Sequence, residues 1–245
     1  MLSGGARDQE PPVIRRLSAL RQLSATGATA IKAAARERLR KAGTGEELVS
    51  EGDSCDTIRV FLSGWACRYK VLEDGRRQIV NFILPGDTCD AFIYLLSTID
   101  HSIGALTPVS YAEFDRPAFE ELISIDISVA EAFFCETLSA CSIQREWAIN
   151  LGRRDALERV AHMICELYER LRVVGLVEGT SFSFPVTQID LADATGLSTV
   201  HLNRTLQELR AMGLITLRDR TLTIHDLQAL GSTAMFNPHY LHFRK

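Results

Sequence analysis

The stretch Thr187-Gln188-Ile189-Asp190-Leu191-Ala192-Asp193-Ala194-Thr195-Gly196-Leu197-Ser198-Thr199-Val200-His201-Leu202-Asn203-Arg204-Thr205-Leu206-Gln207-Glu208-Leu209 places two short helical patterns on either side of a glycine. Thr187, with Asp190 three residues on, has the form of an N-terminal cap and predicts a helix through Thr195. Gly196-Leu197 makes the turn. Ser198 can cap a second helix with apolar positions Val200, Leu202, Leu206 and Leu209, ending near Met212-Gly213. Beyond it, Leu214 to Leu217 and Thr221 to Ile224 flank Arg218-Asp219-Arg220 and read as a hairpin, while Phe182, Phe184 and Val186 alternate as a strand ahead of the first helix.

Two helices around a glycine turn, followed by a hairpin, form a winged helix-turn-helix. A helix fits the major groove of DNA, where the four base pairs present distinguishable edges. Thr199, Val200, Asn203 and Arg204 fall on the outward face of the second helix, and Leu202 and Leu206 point back into the domain. Arg204 is the principal candidate for base reading, since one guanidinium can take the N7 and O6 acceptors of guanine together. His201 and Thr187 suit phosphates, as do Arg218 and Arg220 on the hairpin, and Gln188 and Ser198 at the helix starts complete the candidate contact set. The plainer alternative is a solvated surface on a small helical domain. The coincidence of caps, turn, outward polar side chains and hairpin favours DNA.

Working outward, Val13 to Lys41 shows helical spacing around an expected break at Thr26-Gly27. From Gly43 to about Phe114, short β-prone runs such as Ile58 to Leu62 and Ile79 to Leu84 alternate with turn signals at Glu51-Gly52-Asp53, Ser63-Gly64, Asp74-Gly75 and Pro85-Gly86-Asp87, predicting a small barrel or jelly roll. After Pro117 the pattern becomes helical. Ile127, Ala130, Phe134, Leu138, Cys141, Arg145, Ala148 and Leu151 form a stripe that either packs on the barrel or pairs with a second subunit, and a further helix follows from about Arg153 to Val173. The fold class is therefore α+β: an N-terminal domain of helices and a jelly-roll barrel over 1–126, a long helix over 127–151, and a winged helix-turn-helix with a C-terminal tail over 152–245; the resemblance given below implies a sensory role for the first and dimerisation for the second.

At 245 residues with 46% hydrophobic and 24% charged residues, one or two soluble domains are expected, and no apolar run approaches the ~20 residues of a membrane span. Met1 to Pro12 contains nothing like a secretory signal, so a cytoplasmic address is expected. The net charge of −4 excludes a simple polycation; residues 152–245 carry 11 Lys+Arg against 10 Asp+Glu and are the less acidic part. Six cysteines lie at wide spacings, with Cys67, Cys135, Cys141 and Cys165 expected as small buried hydrophobes and Cys89 as a candidate redox-sensitive thiol.

The Thr187 to Leu209 stretch with Gly213-Leu214-Ile215, the Leu62-Ser63-Gly64 and Leu84-Pro85-Gly86-Asp87 turns, and Arg153 to Ala161 together resemble the Crp/Fnr family of transcription regulators over nearly the whole chain. The resemblance implies a cyclic-nucleotide-binding-type β-roll, a long dimerisation helix, and a homodimer on a two-fold DNA site, with RNA polymerase as a further partner. Arg204 aligns with the family's guanine-contacting arginine, whereas Val200 stands where many relatives carry glutamate and cannot accept a hydrogen bond from cytosine N4. The effector pocket is expected near Asp87, Cys89, Asp90, His101 and Ser102. Members that bind cyclic AMP carry a Gly-Glu pair and an Arg-Ser/Thr-Ala segment where this chain has Asp90-Ala91 and His101-Ser102-Ile103. A carboxylate beside the phosphate site, with no compensating arginine visible in the sequence, opposes cyclic AMP. The oxygen-sensing branch holds iron–sulfur with an N-terminal cysteine cluster, and this chain has no cysteine before Cys55. No cofactor, metal or membrane partner is expected, and the effector is unidentified. Two other readings are a ligand- or redox-sensing module whose C-terminal domain contacts a protein, and a thiol hydrolase built on Cys89 and His101, which lacks a third positioned group.

Overall fold

The computed structural model describes residues 10–244, so the expectation placed on Met1 to Pro12 lies almost wholly outside the described residues. Two helices open it, α1 (Pro12–Leu20) and α2 (Ala25–Glu37). The break between them lies at 21–24 and not at Thr26-Gly27: the Ser24 hydroxyl accepts from the Gly27 amide at 2.9 Å and caps α2. Gly27 belongs to the first helical turn and serves close packing, because a Cβ there would sit 2.7 Å from Val129 Cγ2.

Eight strands then build the β-roll: β1 (Leu39–Ala42), β2 (Glu47–Val49), β3 (Thr57–Ser63), β4 (Ala66–Val71), β5 (Arg77–Ile83), β6 (Thr88–Cys89), β7 (Ser102–Ala105) and β8 (Val109–Asp115). They form two antiparallel four-stranded sheets in the orders β1-β8-β3-β6 and β2-β7-β4-β5. Strand β3 is buried on both faces. Ile58 and Val60 pack with Ala112 and Phe114 against the helices, while Phe61 faces the interior of the roll with Ala66 and Ile83. The register shift between Phe61 and Ser63 belongs to the same strand end.

Helix α3 (Arg116–Ser124) leads to α4 (Ile127–Arg153), whose 27 residues span about 40 Å. Val129, Ala132, Phe133, Glu136, Ile143 and Trp147 are its buried side. The stripe read from the sequence is the opposite side: Ile127, Phe134 and Leu138 are 74%, 54% and 51% exposed, so the stripe is mostly open in one chain, with Phe134 meeting Phe92 after β6 edge-on at 6.0 Å between ring centroids. Helix α5 (Ala156–Val173) starts three residues later than expected, because Asp155 and Glu158 form a reciprocal capping box that fixes its first turn.

The C-terminal part comprises β9 (Val177–Glu178), β10 (Ser181–Ser183), α6 (Gln188–Thr195), α7 (Thr199–Ala211), β11 (Ile215–Arg218), β12 (Thr221–Ile224) and α8 (Leu227–Thr233), with a short 3₁₀ turn at Pro238–Leu241. The tail folds back over the long helices. Leu241 is fully buried, its carbonyl accepts from Ser139 Oγ at 3.2 Å, the His242 ring meets Ser142 Oγ at 3.0 Å, and the Arg244 amide reaches the Ala19 carbonyl at 2.7 Å.

A buried ionic cluster sits where roll, helices and tail meet. Arg170 of α5 donates to Asp87 Oδ2 at 2.6 Å, the Phe82 carbonyl at 2.7 Å, Glu166 Oε1 at 3.1 Å and Asn81 Oδ1 at 3.2 Å. Arg16 of α1 pairs with Glu136 at 3.0 Å and approaches Asp87 at 3.6 Å. Glu166 also accepts from the Trp147 indole at 3.1 Å and the Tyr240 hydroxyl at 2.8 Å. Two guanidiniums thus face three carboxylates, and burial raises the Glu136 carboxyl above its ordinary value although Arg16 opposes the shift. Removing one partner strands a buried charge, so Arg170→Met is expected to cost about 3–5 kcal/mol in denaturant unfolding. A loss below about 1 kcal/mol would contradict this role.

His162 of α5 packs between Phe236 and Tyr240, with ring centroids 5.2 and 5.8 Å away. Burial first, with Arg154 nearby second, drives its imidazole down to about 3, so the 3.3 Å approach to Glu146 is not an ion pair at neutral pH. The unfolded chain takes up a proton near the ordinary value of 6.5 and the folded chain does not, so stability is lost as pH falls from 6.5 towards 3. His162→Phe should remove up to about 1.4 kcal/mol per pH unit from that acid slope, read by chemical unfolding between pH 7 and 5. An unchanged slope would show that His162 is charged in the native state.

Candidate nucleic-acid interface

The helix-turn-helix forms from local chemistry. Thr187 Oγ1 accepts from the Asp190 amide at 3.1 Å while the Asp190 carboxylate accepts from the Thr187 amide at 3.3 Å, a capping box that starts α6. Gly196 ends it at φ 63°, a left-handed conformation that glycine adopts without penalty. Ser198 Oγ then accepts from the His201 amide at 3.2 Å and starts α7. Leu202, Leu206 and Leu209 are buried in one core with Val160, Ile164 and Leu167 of α5. This leaves Thr199, Val200, His201 and Arg204 exposed and Asn203 half-buried on the outward side, as the spacing predicts. Thr187, Gln188 and Ser198 are also exposed at the starts of the two helices.

Strands β11 and β12 pair from Ile215↔Ile224 to Arg218↔Thr221, and Asp219 and Arg220 between them have φ of 49° and 57°. Positive φ at both central residues suits a two-residue hairpin turn. Arg218 and Arg220 therefore project at the hairpin tip, both exposed. The hairpin is one edge of a four-stranded sheet in the order β11-β12-β10-β9, an extension that the alternating Phe182 and Phe184 only half disclosed.

Two arginines outside the motif fix its placement, and sequence reasoning missed both. Arg159 of α5 donates to the carbonyls of Asn150, Leu151 and Arg154 at 3.0, 3.2 and 2.9 Å and to the Thr195 carbonyl at 2.7 Å. One cation thus satisfies the exposed carbonyl ends of α4 and α6 together. Arg77 of β5 pairs with Asp190 at 2.5 Å and Asp193 at 2.7 Å, and Gln78 donates to the Asp193 carbonyl at 2.6 Å, tying α6 to the roll. The acidic residues at 190 and 193 are visible in the sequence, but their partner lies more than a hundred positions away.

The candidate effector residues come together only in part: Asp90 and His101 meet at 3.1 Å, while Asp87, Cys89 and Ser102 go elsewhere. A cavity of about 330 Å³ between the roll and α4 is lined by Arg68, Thr88, Asp90, Ala91, Glu136, Thr137, Ala140, Cys141 and Gln144, so only Asp90 of the five expected residues lines it. Asp87 is drawn into the buried cluster with Arg170. Cys89 is buried in the roll, His101 stands behind Asp90, and Ser102 Oγ accepts from the Glu51 amide at 3.0 Å on the outer sheet. The expectation that Asp90 lacks a compensating arginine is overturned. Arg68 of β4 pairs with it at 2.8 Å, and His101 Nε2 approaches at 3.1 Å. Burial alone would raise the Asp90 carboxyl, but Arg68 and His101 more than reverse this and hold it below the ordinary carboxylate value.

All six cysteines are free thiols. Burial pushes Cys89 far above the ordinary thiol value, and Cys67 and Cys165 up to about 12, which disfavours the thiolate at these three positions at neutral pH. Cys67 and Cys165 are buried as expected, whereas Cys141 is exposed and Cys135 partly so, since both lie towards the open side of α4. Among the described residues no group of three or more His, Cys, Asp or Glu could hold a metal, and no helix is long and apolar enough to cross a membrane.

Family models match both halves: a cyclic nucleotide-binding domain over residues 39–126 and a Crp-like helix-turn-helix domain over residues 158–233. The chain is 30% identical to the nitrogen fixation regulation protein FixK of Rhizobium meliloti over 191 residues, which cover 77% of this chain and 83% of that protein. It is 29% identical to the transcriptional activator protein FnrL of Cereibacter sphaeroides over 181 residues, covering 72% and 71%. The solved structure of FixK2 from Bradyrhizobium japonicum superposes with a TM-score of 0.71 at 26% identity, covering 80% of this chain and 96% of that one. With matching models in both halves, relatives that are transcription regulators, and a helix-turn-helix capped residue by residue as its sequence requires, the chain belongs to the Crp/Fnr family of transcription regulators.

Proposed function

We propose that this regulator acts in the cytoplasm as a homodimer that binds a palindromic duplex site, with α7 in the major groove. The observation that carries the reading is the outward face of α7, where Thr199, Val200, Asn203 and Arg204 lie on a helix whose opposite side is locked into the α5 core. Division of labour follows the chain, with sensing in 1–126, dimerisation in 127–151 and DNA binding in 152–245. Arg204 reads guanine, His201 and Thr187 with Gln188 and Ser198 approach the backbone and adjacent bases, and Arg218 and Arg220 on the hairpin hold phosphates. RNA polymerase is the onward partner.

Dimerisation rests on the exposed stripe of α4. Ile127, Phe134 and Leu138 continue through Cys141, Arg145 and Ala148 to Leu151, a largely apolar seam, interrupted by the charge of Arg145, that is long for a stable monomer to leave in water. Two such helices related by a two-fold axis would present two recognition helices to one face of the duplex, matching an inverted repeat about one helical turn apart. The cavity beside α4 does not suit cyclic AMP. Asp90 already occupies Arg68, the one guanidinium lining it, so a cyclic phosphate would have to displace a carboxylate held within a pair.

Arg204→Ala should remove about 1–3 kcal/mol of specific affinity per half-site while leaving secondary structure and dimerisation intact, as measured by fluorescence anisotropy on the selected duplex and on a scrambled one. Retained discrimination would reject Arg204 as the reading residue. By contrast, Arg218→Ala should weaken both duplexes alike and reduce the salt slope by about one per subunit. Leu138→Glu should convert the dimer to monomer in sedimentation equilibrium; a dimer that persists would place the interface elsewhere.

A further inference from the structure

Val200 is out of place on a surface for reading polar base edges. It is 62% exposed, one turn before Arg204 on the same side of α7, and flanked by Thr199 and Asn203. It contributes nothing to the core that Leu202, Leu206 and Leu209 make with α5, so packing within the domain does not account for an aliphatic residue there. Resting on the DNA-reading role of α7, we infer that Val200 is a specificity-determining residue that recognises the C5-methyl group of a thymine in each half-site.

The chemistry leaves little choice. A valine side chain neither donates nor accepts, so any base pair whose polar groups it covers loses water without a replacement, an unfavourable exchange. Of the major-groove edges, only that of thymine presents an apolar group, the C5-methyl. Valine is also stiff: in a helix it holds a single favoured χ1, so its two methyl groups are already fixed in direction before DNA arrives. Selection is therefore by exclusion as much as by attraction, against cytosine N4 and adenine N6 donors at that position and in favour of the methyl.

Position follows from helix geometry. Residues four apart on a helix have Cβ atoms about 5–6 Å from each other, and base pairs stack about 3.4 Å apart, so the thymine lies within about two base pairs of the guanine read by Arg204. Each half-site should carry this guanine and thymine as a coupled pair.

Deoxyuridine supplies the test, because it differs from thymidine in the major groove by that methyl alone. Duplexes selected from a random library by the full-length protein are resynthesised with each half-site thymine replaced singly by deoxyuridine, and affinities are measured for wild type, Val200→Ala and Arg204→Ala. Burial of one methyl predicts that one thymine near the Arg204 guanine is sensitive, its loss weakening wild type about fourfold per half-site. Val200→Ala, an exposed substitution by a good helix former, should bind the thymine duplex more weakly and lose most of the thymine-to-uracil difference. A site that binds in an Arg204-dependent way but has no uracil-sensitive thymine, or keeps its full sensitivity in Val200→Ala, overturns this inference and leaves the DNA-reading role standing. Failure to select any duplex overturns both.

Discussion

Arg170 is buried with Asp87 and Glu166, and the remaining architecture is arranged around that fact. A guanidinium removed from water is tolerable only when its donors are taken up, and here the turn after β5, two residues of that strand, and α5 itself each supply an acceptor. The acceptors then recruit further partners. Asp87 also holds the Leu84 amide and faces Arg16 of α1, while Glu166 collects Trp147 of α4 and Tyr240 of the tail. Five segments far apart in sequence are thereby held to one point, with little tolerance for a rearrangement that breaks only one pair.

The consequence for function is geometric. Helix α5 carries this cluster on one part of its surface and the hydrophobic seat of the recognition helix on another, so the roll and α7 are referred to a common element. Arg159 closes the hinge between α4 and α6, and Arg77 ties α6 to strand β5. The tail acts in the same sense, passing from α8 across α5 and α4 to the first helix, where Phe243 lies under the Arg16 guanidinium at 4.8 Å. A signal that reorients the reading head must therefore act through arginine-centred ties and not through a loose linker.

The helix-turn-helix was legible because its determinants are local: the Thr187 and Ser198 caps, Gly196 at positive φ, and leucines at helical spacing all lie within about two dozen residues. The stripe on α4 was equally visible, yet periodicity alone cannot say whether an apolar face meets the same chain or another. Only the burial of Ala132, Glu136 and Trp147 on the opposite side decides that it is open in one chain. Gly27 misled because glycine reads as a break, while here it permits α2 to approach Val129. Arg68 and Arg77 could not be recognised at all, since their partners are set by strand register in the roll and by how α6 docks on it. The same holds for the effector residues. Turn motifs put Asp87, Cys89 and Asp90 near one another along the chain, but Asp87 lies in the turn before β6, Cys89 in the two-residue strand and Asp90 beyond it at φ 52°, and they go to the cluster, the roll interior and the cavity respectively.

These ties place an Arg204-bearing helix on the surface, and the central claim is that this surface reads duplex DNA. The most direct measurement is enrichment of a random duplex library by the purified full-length protein in the absence of any added ligand. The account predicts an inverted repeat with a fixed guanine in each half and half-sites centred about one helical turn apart. Recovery of duplexes with no shared sequence, at affinities governed by salt alone, would contradict it.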